Sequence, residues 1–186
     1  MKAMLRWVGF VGLAAASIAA QAAGDPPAAM TLVHQAEAQA AQQHKNVLVI
    51  FHASWCGWCH KLDGFLNDKT ISPIMDKSFV ILHVDVLEDA KHKAQENPGG
   101  EALLESLNGK DQGIPYYAIF TPKDKLLINS RGPVKGKAGV TGNIGYPGAP
   151  EEIAYFMKMM GYGPSMSESD RSTIESWLKA NAPKGE

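Results

Sequence analysis

Val47-Leu48-Val49-Ile50-Phe51-His52-Ala53-Ser54-Trp55-Cys56-Gly57-Trp58-Cys59 is the stretch that decides how this chain folds. Its first five residues are apolar, mostly β-branched, and bounded by Lys45-Asn46 on one side and His52 on the other. A short, continuously apolar run of this kind predicts a central strand buried on both faces, as in a sheet covered by helices. His52 to Trp55 reads as a brief loop. Cys56 falls where the next helix should begin, and that helix is expected from Cys59 through Leu66.

Outward from this core the remaining elements follow by pattern. Thr31 to His44 is rich in Ala, Gln and Glu and predicts a partly exposed helix. Ser72-Pro73 has the form of a cap followed by Pro at the first helical position. Phe79 to Val86 reads as a second strand, Glu101 to Leu107 as a helix, and Tyr116 to Phe120 as a third strand. Lys125 to Ser130 completes a β-hairpin across Thr121-Pro122-Lys123-Asp124. The glycine-rich stretch Gly132 to Pro150 shows no periodicity and reads as a loop. A helix is expected over Glu151 to Met160. A last one is opened by the capping box Ser167-Glu168-Ser169-Asp170 and expected to pack on the domain through Ile174, Trp177 and Leu178. Together they predict an α/β fold, a central mixed sheet flanked by helices, with a glycine-rich loop and an additional C-terminal helix.

The chain has only two cysteines, two residues apart. That is too few and too close for a structural disulfide framework, and a bridge across two residues closes almost no chain. The pair is therefore expected to react. At a helix start, unpaired N–H groups and the helix dipole stabilise a thiolate on Cys56, and the thiolate is the species that attacks a disulfide sulfur. Cys59, one turn deeper, would resolve the mixed disulfide. Trp55 and Trp58 would offer an apolar rim to an incoming peptide, and Gly57 would let its backbone approach. Three other readings fit the same residues: an incidental buried pair, half of a zinc site with His52 or His60, and a c-type haem attachment segment, Cys56-Gly57-Trp58-Cys59-His60. The strand before the pair and the Gly113-Ile114-Pro115 before another strand argue against the last. No cofactor and no metal are expected.

The run from Val47 to Cys59 resembles the active-site strand and loop of the thioredoxin superfamily, and Gly113-Ile114-Pro115 is similar to its cis-proline loop. The resemblance covers roughly Thr31 to Arg131 and resumes after Glu151, and within the superfamily is nearest to exported bacterial proteins with a Trp-Cys-x-x-Cys site. It implies that Pro115 is cis, that it faces Cys56 and Cys59, and that the Ile114 backbone pairs with a substrate chain. The chain departs from the family in two places. Ile50 stands where thioredoxin has a buried Asp that helps move protons, so His60 or His52 becomes the candidate for that task. Gly57-Trp58 replaces the Gly-Pro between the cysteines.

The N-terminus carries Lys2 and Arg6, an apolar run from Trp7 to Ala20, and small residues around Gln21. It has the form of a signal peptide cleaved near Ala22. The organisation expected is residues 1–22 as leader, 23–30 as linker and 31–186 as a thioredoxin-like domain, in the periplasm or secreted. Without Lys2 and Arg6 the chain keeps 16 basic against 19 acidic side chains, a formal charge of −3, and it has no basic run to track phosphates, so nucleic acid is not an expected partner. The expected function is a thiol–disulfide oxidoreductase: a dithiol reductase acting on protein or peptide disulfides and re-reduced by a membrane-bound electron donor. The alternatives are a thiol oxidase or disulfide isomerase, or a peptide-binding module with an idle disulfide. A monomer is expected, because no long exposed apolar helix announces a partner.

Overall fold

The computed structural model describes residues 25–134 and 137–183; the stretch read as a leader, residues 1–22, lies outside them. The chain runs α1 (Ala29–Gln43), β1 (Asn46–His52), α2 (Gly57–Leu66), α3 (Ser72–Ser78), β2 (Phe79–Asp85), α4 (Gly100–Ser106), β3 (Tyr116–Phe120), β4 (Leu126–Asn129), β5 (Arg131–Val134), β6 (Lys137–Asn143), α5 (Pro150–Met160) and α6 (Glu168–Ala180). A single 3-10 turn, Lys93–Gln95, lies between β2 and α4.

Four strands form one sheet in the order β2-β1-β3-β4. β1 and β2 are parallel, whereas β3 and β4 are antiparallel to their neighbours. β1 is the central strand that its composition predicts. Its pleat sends Leu48 and Ile50 into one core, and Val47, Val49 and Phe51 into the other. The first core is closed by α2, α3, α5 and α6, with Phe65 edge-on to Phe156 and to Trp177. The second is closed by α1 and α4. α6 packs on the domain, burying Ile174 and Leu178 completely, and Ser167 and Asp170 cap it reciprocally.

Several boundaries differ from those the sequence suggests. α1 starts at Ala29, whose N–H donates to Pro98 O at 2.9 Å, and Asn97 Nδ2 donates to Pro27 O at 3.0 Å. Tertiary bonds therefore satisfy a helix start that lacks a capping side chain. Ser72 is the first residue of α3, and Ile71 occupies the cap. The larger correction concerns Gly132 to Pro150, read as a loop. Its first part supplies β5 and β6, which pair antiparallel, and the segment after Asn143 is irregular. The pair lacks alternating apolar residues because polar bonds hold it: the Arg131 guanidinium donates to Asn108 O and Thr141 O. Gly132 is needed there, since a Cβ would lie 2.6 Å from the Tyr155 ring of α5.

One buried group works against stability. Glu37 of α1 is 7% exposed, and its Oε1 has no hydrogen-bond partner. Burial pushes its carboxyl pKa up, and Asp124 adds repulsion. A carboxyl whose folded pKa lies above its unfolded value binds more protons in the native state, so stability falls as pH rises through that interval. Glu37→Gln is expected to melt a few degrees above wild type at pH 7, with the gap closing below about pH 4, where both states hold the proton. Thermal melts at the two pH values check this; a gap unchanged at acid pH would mean that the carboxylate charge is not the cause.

Candidate active site

β1 ends at His52, the chain turns through Ala53-Ser54-Trp55, and α2 starts with Cys56 as its N-cap. Cys56 and Cys59 are joined as a disulfide with a Cα–Cα distance of 5.2 Å. Both are buried, packed with Ala53 and Ile114. The Cys59 N–H donates to Cys56 Sγ at 3.1 Å, so the first turn of the helix aims a donor at the sulfur where a thiolate would form.

Across from the pair lies the loop Gly113-Ile114-Pro115, with a cis Ile114–Pro115 peptide. Gly113 supplies a φ of +76°, which admits the chain into that loop. Ile114 O stands 3.5 Å from Cys56 Sγ. In the disulfide this is a contact only; in the reduced state a Cys56 thiol could donate to that oxygen.

The rim is unequal on its two sides. Trp55 is 55% exposed, yet its Nε1 donates to Leu87 O at 2.7 Å. Trp58 is half exposed and stacks on Tyr146 at a centroid distance of 6.2 Å, with Lys61 Nζ over the Trp58 ring at 4.7 Å. Burial pushes the Tyr146 phenol pKa up, so it stays a neutral donor near pH 7. A groove of about 800 Å³ runs from Trp58 past Ile114 and Pro115 to Asn143 and Tyr146. Gly57, between the cysteines, has open space where a Cβ would stand.

Of the residues singled out in the sequence, Cys56, Cys59, Ile114 and Pro115 converge at one point. Trp58 borders the groove, and Trp55 stands on the other shoulder, tied to the segment after β2. His60 does not point at a sulfur: its Nε2 lies 2.9 Å from Ser54 O. His52 has its Nε2 2.9 Å from Asp85 Oδ1 and its ring 4.8 Å from that of His83, which in turn meets Asp63. Burial pushes the His52 pKa down, His83 pushes the same way, and Asp85 only partly opposes them; the ring is neutral at pH 7, and its contact with Asp85 is a hydrogen bond. Ile50 is buried in the core. Among the described residues, no group of three His, Cys, Asp or Glu side chains could hold a metal ion.

Two residues that the motifs do not reveal organise the site. Glu88 is buried, and its carboxylate accepts from Ser54 N at 2.6 Å and from Ser54 Oγ at 2.7 Å. Asn143, at the end of β6, donates to the carbonyls on both sides of Ile114. Glu88 lay in a stretch that reads only as charged, and Asn143 in one that reads only as glycine-rich. Neither carries a local signal for its long-range partners.

The family model described as thioredoxin-like matches residues 28–122. Among solved structures, the chain is similar to a disulphide isomerase from Xylella fastidiosa Temecula1, with 22% identity over 64% of this chain and 80% of that one and a TM-score of 0.45. It is also similar to the C-terminal domain of Neisseria meningitidis DsbD in the oxidised form, at 15% identity, 75% and 99% coverage and a TM-score of 0.44. A thioredoxin from Thermus thermophilus matches at 23% identity, 51% and 68% coverage and a TM-score of 0.39. No curated protein matches the chain.

Proposed function

We propose, from the premise that this chain belongs to the thioredoxin-like family, that it is an exported dithiol reductase of protein disulfides, with Cys56 as nucleophile and Cys59 as resolving residue. One observation carries the reading: a cysteine pair at the start of a helix, with Cys56 Sγ against the Ile114 carbonyl of a cis-proline loop and a groove alongside.

In the reduced protein the Cys56 thiolate attacks one sulfur of a substrate disulfide. That bond breaks, and the departing substrate sulfur takes up a proton. Cys59, having lost its proton, then attacks Cys56 Sγ in the mixed disulfide. The second substrate thiol leaves, and the Cys56–Cys59 disulfide forms. Two electrons and two protons have moved to the substrate, so a dithiol donor must reduce the protein again. The leader-like residues 1–22 support a location outside the cytoplasm, where a membrane-bound donor would supply those electrons. The proton that leaves Cys59 has no buried carboxylate at position 50 to receive it, and His60 is engaged at Ser54 O, so water entering from the groove is the acceptor we assign.

The direction of electron flow is tested by the reduction potential of the pair, equilibrated against glutathione or dithiothreitol buffers. A value near −270 mV, about that of thioredoxin, is expected for a reductase. A value near −120 mV, about that of a strong thiol oxidant, would reverse the assigned direction.

A further inference from the structure

The β5–β6 pair ends at Asn143, and its carboxamide is fully committed. Nδ2 donates to Gly113 O at 3.0 Å and to Pro115 O at 2.8 Å, so its two hydrogens hold the carbonyls flanking Ile114. Oδ1 accepts from Ser130 Oγ at 2.7 Å and from Gly145 N at 3.2 Å, which fixes which way the amide faces. Ser130 is completely buried, and its Oγ accepts from Tyr117 N at 3.1 Å in β3. The amide is thus anchored to the sheet on one side and grips the loop on the other. Between the two gripped carbonyls, the Ile114 N–H has no protein acceptor among the described residues, and it borders the groove.

We infer that Asn143 is a positioning residue for substrate docking: it holds the Ile114 edge in the orientation that pairs with an extended polypeptide, and it acts on polypeptide disulfides rather than on thiol chemistry itself. The inference rests on the proposed reaction and on β-strand addition as the mode of substrate contact. A small disulfide has no backbone to pair with Ile114, so it escapes the effect. Asn143→Asp is the sharpest probe, since in the isosteric carboxylate one oxygen takes the place of Nδ2 and faces both carbonyl oxygens.

The experiment compares wild type, Asn143→Asp and Asn143→Ala in three assays: reduction of insulin, reduction of 2-hydroxyethyl disulfide, and iodoacetamide alkylation of reduced Cys56. KM for insulin should rise on the order of tenfold in both variants, the loss expected for one or two hydrogen bonds that set the geometry. In Asn143→Ala, small-disulfide reduction and alkylation should stay within about twofold of wild type; in Asn143→Asp the added charge slows both by a shared factor, and the insulin KM rises on top of it. An unchanged KM for insulin overturns the inference, and so does an equal fall in all three assays, which would make Asn143 a support of the whole fold. If Asn143→Asp does not fold, as circular dichroism would report, Asn143→Ala carries the test alone. Wild-type protein that alkylates normally but never reduces insulin would refute the proposed function itself, an outcome distinct from either result on Asn143.

Discussion

Cys56→Ser is expected to lose insulin reduction by at least about a thousandfold, because a serine hydroxyl at the same place neither ionises near neutral pH nor leaves as a sulfur does. Cys59→Ser should behave differently. Its Cys56 still attacks, but the mixed disulfide has no internal thiol to release it, so covalent adducts accumulate and survive non-reducing electrophoresis. The asymmetry follows from the helix start. The Cys59 N–H points at Cys56 Sγ and stabilises an anion there, while Ile114 O, 3.5 Å from the same sulfur, sets that cysteine beside the groove loop. Adducts forming on Cys59 in the Cys56→Ser variant, with none in the reverse variant, would exchange the two roles. Loss of either cysteine should change the melting point little, since the bridge closes a loop of only two intervening residues.

The placement of the cysteine pair at a helix start, beside a cis-proline loop, is legible in the sequence because it depends on local features. The apolar run Val47 to Phe51, the cysteine pair after it and Gly113-Ile114-Pro115 each carry their meaning within a few residues, and the sheet brings β1 and β3 side by side. What escaped the sequence depends on long-range polar bonds. The β5–β6 pair has no hydrophobic alternation to betray it: Ser130 Oγ donates to the Asn143 side chain, and Arg131 and Asn143 reach the distant carbonyls of Asn108 and Pro115. His60 follows Cys59 in sequence, and the helix start carries its ring round to Ser54 O. Glu88 lies 34 residues from the serine it binds, and its neighbours Asp89, Lys91 and Lys93 disguise it as part of a solvated charged run.

Glu88 is also where the second large effect is expected, and it concerns how the redox loop is held. Val86 N donates to His52 O, Leu87 O accepts from Trp55 Nε1, and Glu88 takes both donors of Ser54, so three consecutive residues latch the turn leading to Cys56. Leu87 adopts a left-handed φ of +56°, a strained choice for a leucine, which belongs to this latch. Glu88→Ala should destabilise the protein by about 1.5–3 kcal/mol, because two charge-assisted bonds are lost and donors are left at a partly buried carboxylate site. Glu88→Gln keeps an acceptor for Ser54 N and lets the serine hydroxyl accept from its NH2, so it should cost about 1 kcal/mol or less. Insulin reduction should fall several-fold in the alanine variant as Ser54 and Trp55 loosen beside the nucleophile. A double-mutant cycle with Ser54→Ala isolates the Oγ bond, and urea unfolding should give a coupling on the order of 1–2 kcal/mol. A coupling near zero would show that water replaces the serine hydroxyl at no loss, and that Glu88 holds the loop through the Ser54 backbone alone.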